Sequence, residues 1–190
     1  PKANGVSRTD RRTLDSHVPA DFEFDDLKLD GDAYLSGAED ADAAYRRLLD
    51  AGRACQAAES LGVAEQAFDD TIAYISEREQ FGVPISSFQG LQHRAAHLLG
   101  ELELTRSLVR RALTTLDTQP SQAPLWCVAA KAKATQVSRL AAAEGIQMHG
   151  GVGMTDEYDI GLYYKRAQAA GEFMGDDAFN AGEVARMSGY

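Results

Sequence analysis

The sequence predicts a mainly α protein, an up-down four-helix bundle with a short β segment at its N-terminus. From about residue 40 onward, apolar residues recur with the helical period in three long runs and two short ones. By contrast, residues 18–29 partly alternate between apolar and acidic side chains, which is the period of a strand. Long helical runs joined by turns are typical of a bundle.

The N-terminal segment differs from the rest of the chain. It is polar, and within it Phe22 and Phe24 are followed by Leu27 with acidic residues between them. One or two strands do not form a stable sheet alone, so we expect partner strands elsewhere. We therefore divide the chain into a β segment with a linker at 1–36 and a helical bundle at 37–190.

Turn residues separate the predicted helices. A Gly82-Val83-Pro84 turn ends the first helix, and a glycine loop ends the third. Gly52 and Gly62 lie inside the first helix, where each costs about 1 kcal/mol relative to Ala, so we expect both at close helix contacts. The predicted helices span 40–79, 87–117, 123–147, 156–170 and 174–187.

Composition excludes several classes of partner. The net charge of −10 disfavours binding to nucleic acid and to anionic lipid. No apolar run approaches the roughly 20 residues of a membrane helix. We expect Cys55 and Cys127 to be small buried residues, which fits a reducing cytoplasm. The sequence begins at Pro1 with neither a Met nor the apolar core of a signal peptide, so we expect a processed or cut cytoplasmic chain.

The first segment that does not suit a plain bundle runs from Arg78 to Ile85 and continues to Gln89. An arginine at a helix C-terminus often only complements the helix dipole. This segment also offers an amide donor in Gln89 and a flat apolar wall in Phe81 and Phe88. It therefore also fits an anion clamp with Arg78 as the charge.

The second segment is Gln147 to Tyr158, which contains His149-Gly150-Gly151-Val152-Gly153. Glycines let the backbone approach a ligand closely and direct N–H groups at an anion. The spacing alone also fits an ordinary turn between helices. It is not the dinucleotide-binding fingerprint, because no strand precedes it.

Together the two segments resemble the two signatures of the acyl-CoA dehydrogenase family. Tyr74 to Gln89 resembles the first, Gln147 to Tyr158 resembles the second, and two helices separate them as in the family. Phe22 to Leu27 is similar to the last strand of the family's middle β-domain. The resemblance extends from about Phe22 to Gly189, and it implies the tail of that β-domain followed by the C-terminal helical domain.

In that family FAD lies between subunits, so the resemblance implies FAD contacts at the matching residues. The match to Arg78 reaches the pyrophosphate, and the matches to Gln147, Gly150 and Gly151 hold the adenosine-diphosphate portion. The candidate cofactor-binding residues are Arg78, Gln80, Phe81, Phe88, Gln89, Gln147, Gly150 and Gly151.

The family removes a proton α to the thioester with a glutamate that occupies one of two positions. The resemblance places the commoner position at Met174 and the alternative at Gly52, and neither residue accepts a proton. No catalytic residue is therefore expected in this chain. Glu172 and Asp176 are weak candidates after a local shift, or simply solvated charges at a helix start.

The segment from Phe173 to Asp177 resembles family members that pair with a second, base-bearing chain in bacterial α2β2 heterotetramers, which degrade steroids, fatty acids or dicarboxylic acids. The resemblance thus implies an FAD-binding subunit for α,β-desaturation of an acyl-CoA substrate, with an electron-transferring flavoprotein as partner. Two alternatives stay open: a complete homotetramer using Glu172 or Asp176, and a helical interaction module without flavin.

A metal site is not expected. His93 and His97 have the i,i+4 spacing of a metal pair, but no third ligand has suitable spacing. We interpret both as polar residues on an exposed or interface face.

Overall fold

The computed structural model describes residues 5–33 and 40–190, so the predicted boundary between residues 36 and 37 lies outside the described residues. Helices dominate these ranges, and the predicted mainly α fold with a short N-terminal β segment is confirmed. The helices α1 to α5 are Ala41–Glu77, Gln89–Thr118, Ala123–His149, Ile160–Glu172 and Asp177–Met187.

Helix α3 lies at the centre of the bundle and contacts each of the other four helices. Its composition explains this position, because its buried face consists mainly of alanine, valine and other small residues. Short side chains let neighbouring helices approach closely, and enlarging one in such a packed core costs about 1–3 kcal/mol. The fully buried alanines of α3 are Ala130, Ala134, Ala141 and Ala142.

Helix α4 begins later than the sequence predicts, at Ile160 rather than at residue 156. The Thr155 hydroxyl donates to the Val152 carbonyl at 2.7 Å, which keeps it in the preceding turn. Asp159 instead occupies the N-terminal cap position. By contrast, α5 is capped by Asp176, whose carboxylate accepts the Phe179 N–H at 2.7 Å.

The β segment is a hairpin whose two strands both come from this chain. Strand β1, Val6–Asp10, pairs antiparallel with β2, Ala20–Phe24, with Val6 opposite Phe24. The expectation of partner strands elsewhere did not foresee β1, because that strand is polar and carries no apolar alternation. The loop between the strands lies on the bundle, where the Asp15 carboxylate pairs with Arg166 of α4.

Two expectations about α1 are wrong. Gly62 has open space where a side chain would be, so no close helix contact explains it, whereas Gly52 does lie in close contact. Cys55 is exposed rather than buried, because it lies on the outward face of α1 with Glu59 and Gly62. Cys127 is buried, and burial raises the pKa of its thiol to about 12.

Within residues 5–33 and 40–190, every helix is too short or too polar to cross a lipid bilayer.

Candidate functional site

The segment after α1 forms a small hairpin that projects from the bundle. Helix α1 ends at Glu77, and Arg78 continues in an extended conformation. Strand β3, Glu79–Gln80, pairs with β4, Val83–Pro84, through a two-residue turn in which Phe81 and Gly82 have φ angles of +56° and +82°. Positive φ at both turn positions matches the twist of a tight hairpin. The turn leaves the Phe81 side chain 93% exposed.

The glycine segment ends α3 by a tight reversal. Gly150 has a φ of +69°, and its N–H donates to the carbonyls near the end of the helix. A short 3₁₀ turn, Gly150–Met154, follows. A Cβ on Gly153 would lie 2.9 Å from the Ile146 carbonyl oxygen, so the turn depends on glycine there. Gly150 and Gly151, by contrast, face open space, which leaves their backbone accessible.

These two segments line one open cleft of about 480 Å³, which we call the signature cleft. Five of the eight predicted cofactor residues contribute to its lining: Arg78, Gln80, Gln147, Gly150 and Gly151. The other seven lining residues are Tyr74, Ile85, Met148, His149, Val152, Glu157 and Tyr158. The fold thus brings together two segments that the sequence separates by two helices.

The remaining three predicted residues lie outside the lining of this cleft. Phe81 and Phe88 face each other edge to face, with ring centroids 6.1 Å apart. Gln89 is the exposed first residue of α2. They form a separate aromatic and amide surface on the projecting hairpin and the start of α2.

An aromatic cluster that the sequence analysis missed forms one wall of the signature cleft. The Tyr74 ring stacks on His149 at 4.2 Å, and Tyr158 meets both rings edge on. The Tyr74 hydroxyl donates to the His149 carbonyl at 3.2 Å. Because His149 Nδ1 lies 2.7 Å from the Gly145 carbonyl, that nitrogen carries the proton. Tyr74 precedes Arg78 by one helical turn, a spacing that could have indicated their common face.

The signature cleft contains a cation that is free to bind an anion. Among the residues that the structure describes, Arg78 has no carboxylate within ion-pair distance. Its guanidinium is exposed and lines this cleft together with the exposed glycines Gly150 and Gly151. A guanidinium in an open polar cleft suits a phosphate or pyrophosphate, through charge-assisted hydrogen bonds.

Gly52 and Met174, the two positions to which the resemblance assigns the family's base, lie against each other. Met174 covers Gly52, and a Cβ atom on residue 52 would lie 2.7 Å from Met174 Cε. Met174 has a φ of +62°, an uncommon value for a residue other than glycine. The nearest acid along α1 is the buried Asp50, whose pKa burial raises and whose carboxylate lies 3.2 Å from Arg53. An apolar contact therefore occupies both positions.

The weak catalytic candidates each have a structural partner. Glu172 pairs with Arg139 of α3 at 2.7 Å. Asp176 accepts the Phe179 N–H in the first turn of α5. Using either carboxylate as a base would remove an ion pair or a helix cap.

A second cavity, of about 320 Å³, lies between the β1–β2 loop and the bundle. Phe173, the neighbour of Met174, lies in its wall together with Gln56 of α1. Asp15 anchors the loop at this cavity through its buried carboxylate, which Thr13 and Arg166 contact.

His93 and His97 are exposed on α2. Within the described ranges, no three potential metal ligands lie close enough together to hold an ion.

Comparison with known proteins identifies the family of the helical part of the chain. The family model described as "Acyl-CoA dehydrogenase, C-terminal domain" matches residues 42–188. The acyl-CoA dehydrogenase IpdE2 of Mycobacterium tuberculosis is 39% identical over 118 residues, which are 62% of this chain and 35% of that protein. The short/branched chain specific acyl-CoA dehydrogenase of Bos taurus mitochondria is 36% identical over 140 residues, 73% of this chain and 32% of that protein.

A solved structure named Tcur3481-Tcur3483 steroid ACAD G363A variant has a TM-score of 0.88 and 25% identity, covering 98% of this chain and 49% of that one. The chain therefore spans about a third of the length of its curated relatives and half of this solved one. Because the family model matches most of its length, the chain belongs to the acyl-CoA dehydrogenase family.

Proposed function

We propose that this chain is an FAD-binding subunit, or the corresponding part of one, of an acyl-CoA dehydrogenase that desaturates an acyl-CoA thioester between its α and β carbons. The single observation that carries the proposal is the signature cleft. Arg78, Gln147 and Gly150 come from distant parts of the sequence and line the same cleft. Two segments that resembled the family signatures only by chance would have no reason to lie together in the fold.

The residues of the signature cleft fit the diphosphate of FAD. Arg78 supplies a positive charge that pairs with no carboxylate among the residues that the structure describes, and Gly150 and Gly151 leave their backbone open to close approach. Gln80 and Gln147 add amide groups that both donate and accept. The Phe81–Phe88 surface outside the cleft suits a flat aromatic ring system.

In the desaturation, bound FAD would supply the acceptor for the hydride from the β carbon. The chain's own part is to hold the diphosphate and to exclude water with its aromatic surfaces. Removal of the α proton needs a carboxylate, and neither Gly52 nor the Met174 side chain that covers it supplies one. We therefore assign the base to another chain, in an assembly with a second, base-bearing subunit.

The relatives support the remaining parts of the proposal. Their names describe acyl-CoA dehydrogenases, one for short or branched chains, and the solved relative's name combines the two designations Tcur3481 and Tcur3483 with the word steroid. We propose an acyl-CoA substrate, an α2β2 assembly rather than a self-tetramer, and an electron-transferring flavoprotein as electron acceptor.

Flavin content tests the cofactor part. The assembly that contains this chain would be purified with Arg78→Ala, and its bound FAD measured by absorbance. Loss of a charge-assisted hydrogen bond costs about 1.5–3 kcal/mol, so FAD affinity should fall roughly 10- to 100-fold. Arg110→Ala, on the exposed face of α2, is the matched control and should retain its flavin. Equal flavin content in both variants would contradict the diphosphate assignment.

A desaturation assay tests the subunit part. The chain purified alone should show no acyl-CoA desaturation, whereas the assembly with its partner should be active. Activity of the chain alone would instead favour the complete homotetramer with Glu172 or Asp176 as base. If neither preparation contained flavin, the chain would be a helical interaction module.

A further inference from the structure

A lysine is completely buried in the centre of the bundle. Lys131 of α3 is 0% exposed. Its ammonium donates to the Thr135 hydroxyl at 2.8 Å, the Gly171 carbonyl at 3.1 Å and the Ala170 carbonyl at 3.4 Å. A buried ammonium is costly unless all of its N–H groups have acceptors, and here three N–H groups meet three oxygens.

The ammonium caps the end of α4. Ala170 and Gly171 precede Glu172, the last residue of α4, so their carbonyls are among those that the helix leaves without a partner. A cation at a helix C-terminus also complements the helix dipole. The chain then leaves the helix at Phe173 in an extended conformation.

The next residue is Met174, whose positive φ has to be imposed by its surroundings. From α5, the Asn180 amide donates to the carbonyls of Met174, Gly175 and Asp176 at 3.3, 2.9 and 2.9 Å. The segment 172–176 is thus held from both sides, by Lys131 before it and by Asn180 after it.

We propose that Lys131 is a positioning residue that fixes the end of α4 and thereby holds Met174 against Gly52. For its meaning in catalysis this inference rests on the proposed function, because Met174 and Gly52 are then the two base positions of the family. Without the ammonium, the last carbonyls of α4 lose their donors, the helix end frays, and Met174 moves away from Gly52.

Oxidation of the methionines by hydrogen peroxide provides the test, and it needs neither flavin nor substrate. Lys131→Met removes the ammonium and keeps a side chain of similar length that suits a buried site. Peptide mass spectrometry then follows the oxidation rate of each methionine. Met154 at 77% exposure is the internal standard for an accessible thioether, and Met148 at 3% is the reporter of global unfolding.

In Lys131→Met, Met174 should oxidise roughly five- to tenfold faster relative to Met154, because the helix end has lost hydrogen bonds to a charged donor. Met148 should stay protected. An unchanged Met174 rate would overturn the proposal. If Met148 also became reactive in Lys131→Met, the same oxidation rates would be measured in Thr135→Val, which removes one acceptor and keeps the ammonium. Faster oxidation of Met174 alone would support the proposal, and an unchanged Met174 rate would overturn it.

A pH series separates positioning from simple space filling. Burial, and then the charge of Arg139, lower the pKa of Lys131 to about 8 against the opposing carboxylates of Glu172, Asp177 and Asp176. A neutral amine has only two N–H groups for the three acceptors. Between pH ~7 and pH ~9.5, either side of this pKa, the Met174 to Met154 ratio should rise in the wild type and stay constant in Lys131→Met. A flat wild-type ratio would contradict the role of the charge.

Discussion

The signature cleft and the Met174–Gly52 contact are formed by similar parts of the chain, but the first is polar and open and the second is apolar and closed. In each, a residue on or just after α1 meets a residue from the C-terminal third of the chain. The signature cleft is polar and open, with accessible glycines and an arginine that meets no carboxylate within residues 5–33 and 40–190. The other contact is closed by a thioether, and the acids near it in sequence are buried, paired or used as a cap.

This difference supports our proposal that the chain holds a cofactor but does not itself remove the proton. An arginine at an open surface stays hydrated until an anion arrives, so the cleft costs little stability. A carboxylate beside Met174 would lose hydration without gaining a partner, which is expensive. We infer that the proton-accepting part of the reaction has moved to another chain.

The largest expected effect comes from restoring a carboxylate. Gly52→Glu alone would meet Met174, so we combine it with Met174→Gly, which also suits the positive φ at that position. A positioned general base contributes about 10²- to 10⁴-fold, so desaturation by the flavin-loaded chain should rise by that order. Turnover of an acyl-CoA with an artificial electron acceptor measures it.

The control for this gain is Gly52→Gln with Met174→Gly, which has the same shape but accepts no proton. Equal activity of the two double variants, with flavin bound in both, would show that residue 52 does not face the substrate. The two regions would then differ for a reason other than the missing base.

A smaller effect is expected at the β1–β2 loop, beside the cavity that has Phe173 in its wall. Burial tends to raise the pKa of Asp15, but hydrogen bonds from Thr13, Arg166 and His17 outweigh it and hold the pKa well below the ordinary 3.8. Asp15→Asn should lower the free energy of unfolding by about 1–3 kcal/mol, since Arg166 keeps its second partner, Glu59. Urea unfolding at neutral pH measures the difference.

The sign of the pH dependence follows from the depressed pKa. The folded state binds the Asp15 proton less tightly than the unfolded state, so this stabilisation is complete above the ordinary carboxyl pKa and is lost as pH falls below it. The gap between wild type and Asp15→Asn should therefore shrink below about pH 4. Asp10→Asn, in an exposed pair with Arg8, should show almost no gap at any pH.

The smallest expected effect concerns the projecting hairpin, Glu79–Pro84, beside the signature cleft. Phe81 has a left-handed φ and little packing, so Phe81→Gly should relieve strain and raise the free energy of unfolding by about 0.5–1 kcal/mol. The same change removes part of the aromatic surface, so FAD affinity should fall. Phe88→Ala, at a residue with ordinary φ, should weaken FAD without any gain in stability. A parallel change in both properties for Phe81→Gly would contradict its cofactor role.

Local patterns predicted most of the helices. Apolar periodicity and turn residues gave α1 to α3 within about two residues, the usual precision of helix ends. The start of α4 was missed by four residues, because Thr155 bonds within its turn rather than capping. Strand β1 was missed since polar residues form a strand only through their partner.

The candidate site was predictable in part for a similar reason. The two signatures are contiguous in sequence, so their residues could be named, and five of the eight converge on the signature cleft. The stacked Tyr74, His149 and Tyr158 were not foreseen, because their contact depends on where α1 lies against α3.

The fold class, the two signatures, the helical periods and the lack of a carboxylate at residues 52 and 174 all follow from the order of the residues. Three contacts became visible only in the folded chain: Arg78 and Gly150 line one cleft, Met174 covers Gly52, and the Lys131 ammonium binds the end of α4. Helix periodicity arises from neighbours three or four residues apart, whereas these contacts arise from the packing of distant helices around α3, which no local pattern specifies.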